Sequence, residues 1–165
     1  MLMRKTIDVN TGEVKGSDGS AILRSIAIGS CIAVVAYSFR ARAGAIAHIM
    51  LPGRARDKTK EKTRYAEDAV DVLIGIMEGF GVVHEDVEVC LVGAGNVLEK
   101  KDDTICQSNI DSVIEIMKDK NIPVRASVLG GVKRKSVVMD VEYGKVTYTE
   151  GDGRETFLWQ YGEDA

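Results

Sequence analysis

Apolar residues recur along this chain in two rhythms. Ala66, Ala69, Val70, Leu73, Ile74, Met77 and Phe80 fall three or four positions apart. That spacing predicts one face of a helix starting near Thr63, with Gly79 and Gly81 as its stop. A second helix is predicted from Ser108, with Asp111 three residues on as a capping-box variant and an apolar face of Ile110, Val113, Ile114 and Met117. Elsewhere the rhythm is two, or the apolar run is unbroken, and both read as strand. Strands are predicted over 4–9, 21–28, 32–37, 45–51, 86–92, 124–129, 136–142 and 145–149, with a further edge strand over 154–161. Gly12, Gly16 and Asp18-Gly19 read as turns, Pro52 stops the fourth strand, and Tyr143-Gly144 joins a hairpin. A charged loop fills 53–64. About eight strands and two helices that do not alternate as βαβ predict an α+β domain. Its sheet is largely antiparallel or mixed, with both helices on one face.

Size and composition narrow this further. The 165 residues are 45% hydrophobic and 28% charged. Such a chain builds one core, so a single domain over 1–165 is expected rather than a disordered or fibrous chain. A net charge of −3 speaks against a general electrostatic grip on nucleic acid. The three cysteines, Cys31, Cys90 and Cys106, cannot all pair within the molecule, and none sits in a C-x-x-C unit. Neither a disulfide framework nor a zinc site is expected, and a reducing, cytoplasmic setting fits. Met1 to Lys5 leads into polar residues without the apolar core of a signal peptide. The longest apolar stretch, 26–37, is broken by Gly29-Ser30 and is too short to cross a bilayer as a helix, so no membrane insertion is expected.

Two residues attract attention for their chemistry. Cys31 follows Gly29-Ser30 at a break between two apolar strands. A thiol there has backbone N–H groups nearby, as an oxyanion hole requires. The alternative is a small buried hydrophobe, which is the reading preferred for Cys90 inside its strand and, as a structural residue, for Cys106. His48 lies in the apolar run 45–52, where a buried imidazole needs a hydrogen-bond partner. It reads as a satisfied core histidine or as the base of a Cys–His dyad. A neighbouring imidazole favours the thiolate and can later protonate a leaving amine. Ser25, at an even offset from Cys31, can share its face and orient the imidazole, or can be an ordinary strand hydroxyl. His84 sits in a polar connector and is expected to be solvated.

Register decides whether the pair can meet. With strands 32–37 and 45–51 antiparallel, a turn centred on Phe39-Arg40 sets Cys31 opposite His48. A turn shifted by one position leaves them diagonal and reachable. Every odd-sum register keeps both on one face. Other signals are weaker. Arg54, Arg56, Lys58, Lys60, Lys62 and Arg64 alternate as a solvated basic loop or a dock for an acidic surface. Gly93-Ala94-Gly95-Asn96 lacks the spacing of a nucleotide loop, and the scattered His and Cys residues lack metal-ligand spacing, so no cofactor or metal is expected.

The segments Ser25-Ile26-Ala27-Ile28-Gly29-Ser30-Cys31 and Gly44-Ala45-Ile46-Ala47-His48-Ile49-Met50-Leu51-Pro52 resemble the CheD family of chemoreceptor glutamine deamidases. That family carries a G-S-C segment and an H-x-M-L-P segment 17 residues after its cysteine, the spacing found here. The likeness continues through Tyr65-Ala66, Gly93-Ala94-Gly95, Asn109, Gly130-Gly131, Arg134 and Ser136, covering roughly residues 5–150. It implies an α/β/β layered sandwich and hydrolysis of receptor glutamine side chains to glutamate with release of ammonia. It implies Cys31 as nucleophile, His48 as general base and acid, and backbone N–H groups of Ser30 and Cys31 at the oxyanion. Ser25 stands where the family usually has threonine, Ala27 where it usually has glycine, and Cys106 where it often has glycine. The implied partners are the cytoplasmic helices of methyl-accepting chemoreceptors and a CheC-type phosphatase.

Two further functions fit the same residues. The chain could be a binding module that regulates a CheC-type phosphatase with little or no catalysis. It could also be another thiol acyl hydrolase or transamidase, since an acyl-enzyme accepts water or an amine.

Overall fold

The computed structural model describes residues 4–57 and 61–162. The sheets are set by which strands the helices cover. One sheet contains β1 (Lys5–Asp8), β3 (Ala21–Ile28), β8 (Lys135–Asp140), β9 (Lys145–Glu150) and β10 (Thr156–Gln160), in the order β1-β3-β8-β9-β10. The other contains β2 (Val14–Asp18), β4 (Ile32–Ser38), β5 (Ala43–Ile49), β6 (Glu88–Gly93) and β7 (Val124–Leu129), in the order β2-β5-β4-β6-β7. Pairing is antiparallel except for β1 with β3 and β6 with β7, so both sheets are mixed. Helices α1 (Ala66–Gly79) and α2 (Ile105–Asp119) cover the second sheet. The α+β expectation and the helix/sheet/sheet layering are both met.

The unbroken apolar run of β4 follows from its place in the middle layer. Ile32, Val34 and Ala36 face the helices, while Ala33, Val35 and Tyr37 face the first sheet. Each side chain is buried, as expected of a strand covered on both sides. β5 divides the same way: Ala43, Ala45, Ala47 and Ile49 lie under α1, and Ile46 faces the seam between the sheets. Tyr37 and Tyr161 stack in that seam with centroids 5.2 Å apart. Their hydroxyls donate to the Val141 and Val35 carbonyls at 2.7 and 3.0 Å, so neither is left unpaired in the core. Cys90 packs there as expected, its thiol pushed up to about 11 by burial.

Three predicted elements need correction. β2 is a strand where Gly16 was read as a turn: a Cβ at Gly16 would lie 2.8 Å from both the Gly44 carbonyl and Ile76 Cγ2. That glycine lets the strand pass under the helix. α1 begins at Ala66 rather than near Thr63, because residues 62–64 form a 3-10 turn and Thr63 donates to the Gly12 carbonyl. α2 begins at Ile105 rather than Ser108. Its buried stripe is Cys106, Asn109, Val113, Ile116 and Met117, while the expected face residue Ile114 is exposed. Asp111 accepts from Gln107 one turn back, so it caps nothing at Ser108.

The basic loop is partly tied down. The Arg54 guanidinium bridges Glu67, Asp68 and Asp71 along the first turns of α1, placing acids where the helix dipole favours them. Lys58 and Lys60 lie outside the described residues. Among the described residues no helix is long and apolar enough to cross a membrane.

β6 ends at Gly93, with φ +135, and a Cβ there would collide with the Cys31 carbonyl and lie 2.7 Å from Ile28 Cγ2. Replacing Gly93 by alanine is expected to cost about 2 kcal/mol or more. Chemical denaturation checks this, and a midpoint equal to wild type would contradict it.

Candidate active site

Cys31 sits just before β4, on the short connection from β3, and its two flanks explain its setting. The β3–β8 pairing slips between Ser25 and Ile28, and Ala27 takes φ +56 within that bulge. This is the position where glycine is the residue with least strain. The bulge ends the regular strand and turns the chain toward the second sheet. From there each carbonyl of the connection is claimed by another element. The Gly29 carbonyl accepts from the Gly95 N–H at 2.8 Å, and the Cys31 carbonyl accepts from the Ala94 N–H at 2.6 Å. The Ser30 carbonyl accepts from the Asn109 amide at 2.9 Å.

These bonds settle where the N–H groups point. In a trans peptide the N–H is antiparallel to the preceding C=O, and no peptide bond here is cis. With the Gly29 and Ser30 carbonyls turned toward the 93–95 turn and α2, the N–H groups of Ser30 and Cys31 point the opposite way. The Gly93-Ala94-Gly95 turn therefore uses its own N–H groups to hold the cysteine loop. The N–H groups of Ala94 and Gly95 are thereby taken up and do not face a phosphate.

His48 comes from β5, where its backbone bonds Gly12 and Glu13, the residues just before β2. The β4–β5 register places His48 opposite Ala33 and Ile49 opposite Ile32. One step further puts Cys31 opposite Met50, diagonal to His48. The turn is shifted by one position from Phe39-Arg40, and the two residues share the face toward the seam. His48 is only 2% exposed. Ser25 reaches it from the other sheet: Ser25 Oγ lies 2.8 Å from His48 Nδ1 and 2.8 Å from the Val9 carbonyl. Only one arrangement of protons serves all three groups. The serine hydroxyl donates to Val9, and His48 Nδ1–H donates to the serine oxygen. The proton is thereby fixed on Nδ1, and Nε2 keeps its lone pair. Nε2 is buried and has no hydrogen-bond partner among the described residues.

Cys31 lies at the border between the seam and the outside. Its side chain packs against the seam and also lines an open cleft of about 450 Å³. The cleft walls come from Ala27, Gly29 and Ser30, the loop 95–103, the start of α2 and Arg134. Cys106 lines the same cleft but is 7% exposed within the first turn of α2, and its thiol is pushed up to about 11, chiefly by burial. Burial likewise pushes the Cys31 thiol above its ordinary 9.0, with its own backbone N–H pulling the other way. It pushes His48 below its ordinary 6.5, against the Val9 carbonyl and the charge of Glu13. The resting site thus holds a neutral thiol and a neutral imidazole.

Of the three sequence-predicted side chains, Ser25 and His48 meet here, while Cys31 stands diagonal to His48 in the β4–β5 register with no hydrogen bond from its sulfur to Nε2. His84 is half-buried instead of solvated, because its Nε2 bonds the Lys120 carbonyl. Sequence reasoning gave no role to Asn109, whose amide also reaches the Met50 carbonyl at 3.2 Å. Its signal was present as a polar residue inside the 106-109-113-116 buried stripe. Among the described residues no three His, Cys, Asp or Glu side chains gather to hold a metal.

Comparison with known proteins gives the chain its family. Residues 50–150 match the family model described as CheD chemotactic sensory transduction. A probable chemoreceptor glutamine deamidase CheD from Chlorobium luteolum is 36% identical over 153 residues, covering 92% of this chain and 76% of that protein. The chemoreceptor glutamine deamidase CheD of Thermotoga maritima is 31% identical, covering 93% of this chain and 96% of its own. A probable deamidase of the same name from Archaeoglobus fulgidus is 27% identical over 95% of this chain and 99% of its own.

Since protonation of His48 is disfavoured in the fold, the unfolded chain binds more protons between its lowered midpoint and 6.5. The stability contributed by a neutral His48 is complete above 6.5 and falls as pH drops through the folded midpoint. An NMR titration should place the His48 midpoint below 6.5, and a midpoint above it would contradict the burial argument.

Proposed function

The chain belongs to the CheD family, and on that footing we propose that it hydrolyses glutamine side chains of chemoreceptors to glutamate through Cys31. The observation that carries the reading is the cleft itself. It is lined by the Cys31 thiol, which stands diagonal in the β4–β5 register to a buried imidazole whose proton is held on Nδ1 by Ser25. Receptor helices are cytoplasmic and broad, and an open cleft suits a side chain presented from such a surface better than a deep pocket would. The proposed site therefore acts in the cytoplasm.

In the reaction we propose, a substrate carboxamide displaces water from the cleft. The Cys31 proton passes to His48 Nε2, and the sulfur attacks the carboxamide carbon. The carbonyl oxygen becomes an oxyanion met by the N–H groups of Ser30 and Cys31. Protonated Nε2 returns its proton to the amide nitrogen, and ammonia leaves. Water then loses a proton to Nε2 and attacks the thioester, giving glutamate and the free thiol. Ser25 keeps the imidazole in one tautomer throughout, the role a third member plays in related constellations. Because both partners rest neutral, proton transfer and attack are coupled and follow substrate binding.

The family resemblance adds a second partner, a CheC-type phosphatase, whose binding calorimetry would measure directly.

Cys31→Ala is expected to abolish conversion of receptor glutamine to glutamate, read by peptide mass spectrometry. Turnover surviving that substitution would overturn the reading. Ser25→Ala should lower kcat by about 100-fold, the lower end of general acid–base effects, since the serine acts through the imidazole. Ser25→Thr should keep activity, since the hydroxyl remains and the added methyl restricts its rotamer. Equal rates in Ser25→Ala and wild type would remove Ser25 from the site.

A further inference from the structure

Asn109 is the least economical buried group in the molecule. It is fully buried in α2, and its amide nitrogen donates to two backbone carbonyls, those of Ser30 and Met50. Two acceptors on one side fix the amide orientation, because an oxygen there would face two oxygens. The other end, Oδ1, is then buried with no partner among the described residues. An unpaired buried acceptor carries the full desolvation penalty of the group. Packing alone gives no reason to place asparagine in a stripe otherwise built from Cys106, Val113, Ile116 and Met117.

The two carbonyls explain the choice. Ser30 precedes the nucleophile, and Met50 lies two residues beyond His48, at the register position opposite Cys31. No backbone ladder bond joins these two stretches at that point, since β4 begins at Ile32 and β5 ends at Ile49. The asparagine amide spans the gap. It also holds the Ser30 carbonyl, and so sets the direction of the Cys31 N–H in the same peptide unit.

We infer that Asn109 is a positioning residue that clamps the cysteine-bearing loop to the end of the histidine-bearing strand and aims the Cys31 N–H. This inference rests on the reading of Cys31 and His48 as the reacting pair. Asn109 touches no substrate. It acts through the peptide between Ser30 and Cys31, whose N–H favours the sulfur anion and the oxyanion.

Asn109→Ala and Asn109→Leu, the second keeping the volume, separate this role from simple packing. Circular dichroism first confirms that each is folded. Deamidation kcat is expected to fall about 10- to 100-fold with KM little changed, the scale of a misplaced reacting group. Independently of turnover, the pH profile of iodoacetamide labelling at Cys31, mapped by mass spectrometry, should move to higher pH in both variants. An unmoved profile in a folded variant overturns the inference while leaving the deamidase reading intact. Turnover without Cys31 sinks the deamidase reading first. If neither variant folds, hydrogen exchange of the Asn109 side-chain amide in the wild-type protein decides. Slow exchange that quickens when Cys31 is alkylated supports the clamp. Exchange indifferent to alkylation overturns it.

Discussion

A hydroxyl from one sheet and an imidazole from the other meet at 2.8 Å in the dry seam between them. The rest of the site depends on that contact. Neither group can leave its strand, so its length measures how well the two sheets are held together. Tyr37 and Tyr161, stacked in the same seam with both hydroxyls bonded to backbone, act as the spacer. The seam is also what removes water from His48 and keeps it neutral. A proton acceptor with a fixed tautomer follows from the packing of two sheets rather than from any charged neighbour.

The nucleophile is positioned by a different device. Its loop has no regular partner strand, so two separate elements claim its three carbonyls: the turn after β6 supplies two N–H groups and α2 supplies an amide. Each bond fixes one peptide plane. Together they leave the Ser30 and Cys31 N–H groups facing away from the anchors, free for the oxyanion of the proposed reaction. The strain is kept nearby, in Ala27 at φ +56, where the strand must break to release the loop.

Much of this was legible in the sequence because it is written in periodicity. The buried run of β4 and the parity that puts Cys31 and His48 on one face follow from strand alternation, a local property; the Ser25 offset does not, because the bulge ends β3 before Cys31 and Ser25 meets His48 from the other sheet. What was not legible depends on approach between distant segments. Gly16 looks like a turn until Ile76 is placed above it. The sequence opens α2 three residues late because Ser108 and Asp111 imitate a capping box, and its stripe is misread because Asn109, a polar residue, is part of the buried face. A hydrophobicity pattern discards such a residue as surface. The Gly93-Ala94-Gly95 turn resembles a ligand loop until its N–H groups are seen to be spoken for. Even the parity argument fixed a face and not a register, since turn length adjusts by whole residues.

β6 and β7 run parallel, with Gly93 beside Leu129, so both chains leave the sheet at the same end. The loop that follows β6 and the one that carries Arg134 consequently rise on the same side as Cys31 and form much of the cleft wall. Neither loop carries the thiol, the imidazole or the serine. Residues can be added to or removed from their tips while the hydrogen-bonded bases at 93–95 and 130–131 stay in place. The rim of the cleft can therefore be reshaped while the arrangement of Cys31, His48 and Ser25 beneath it stays as it is.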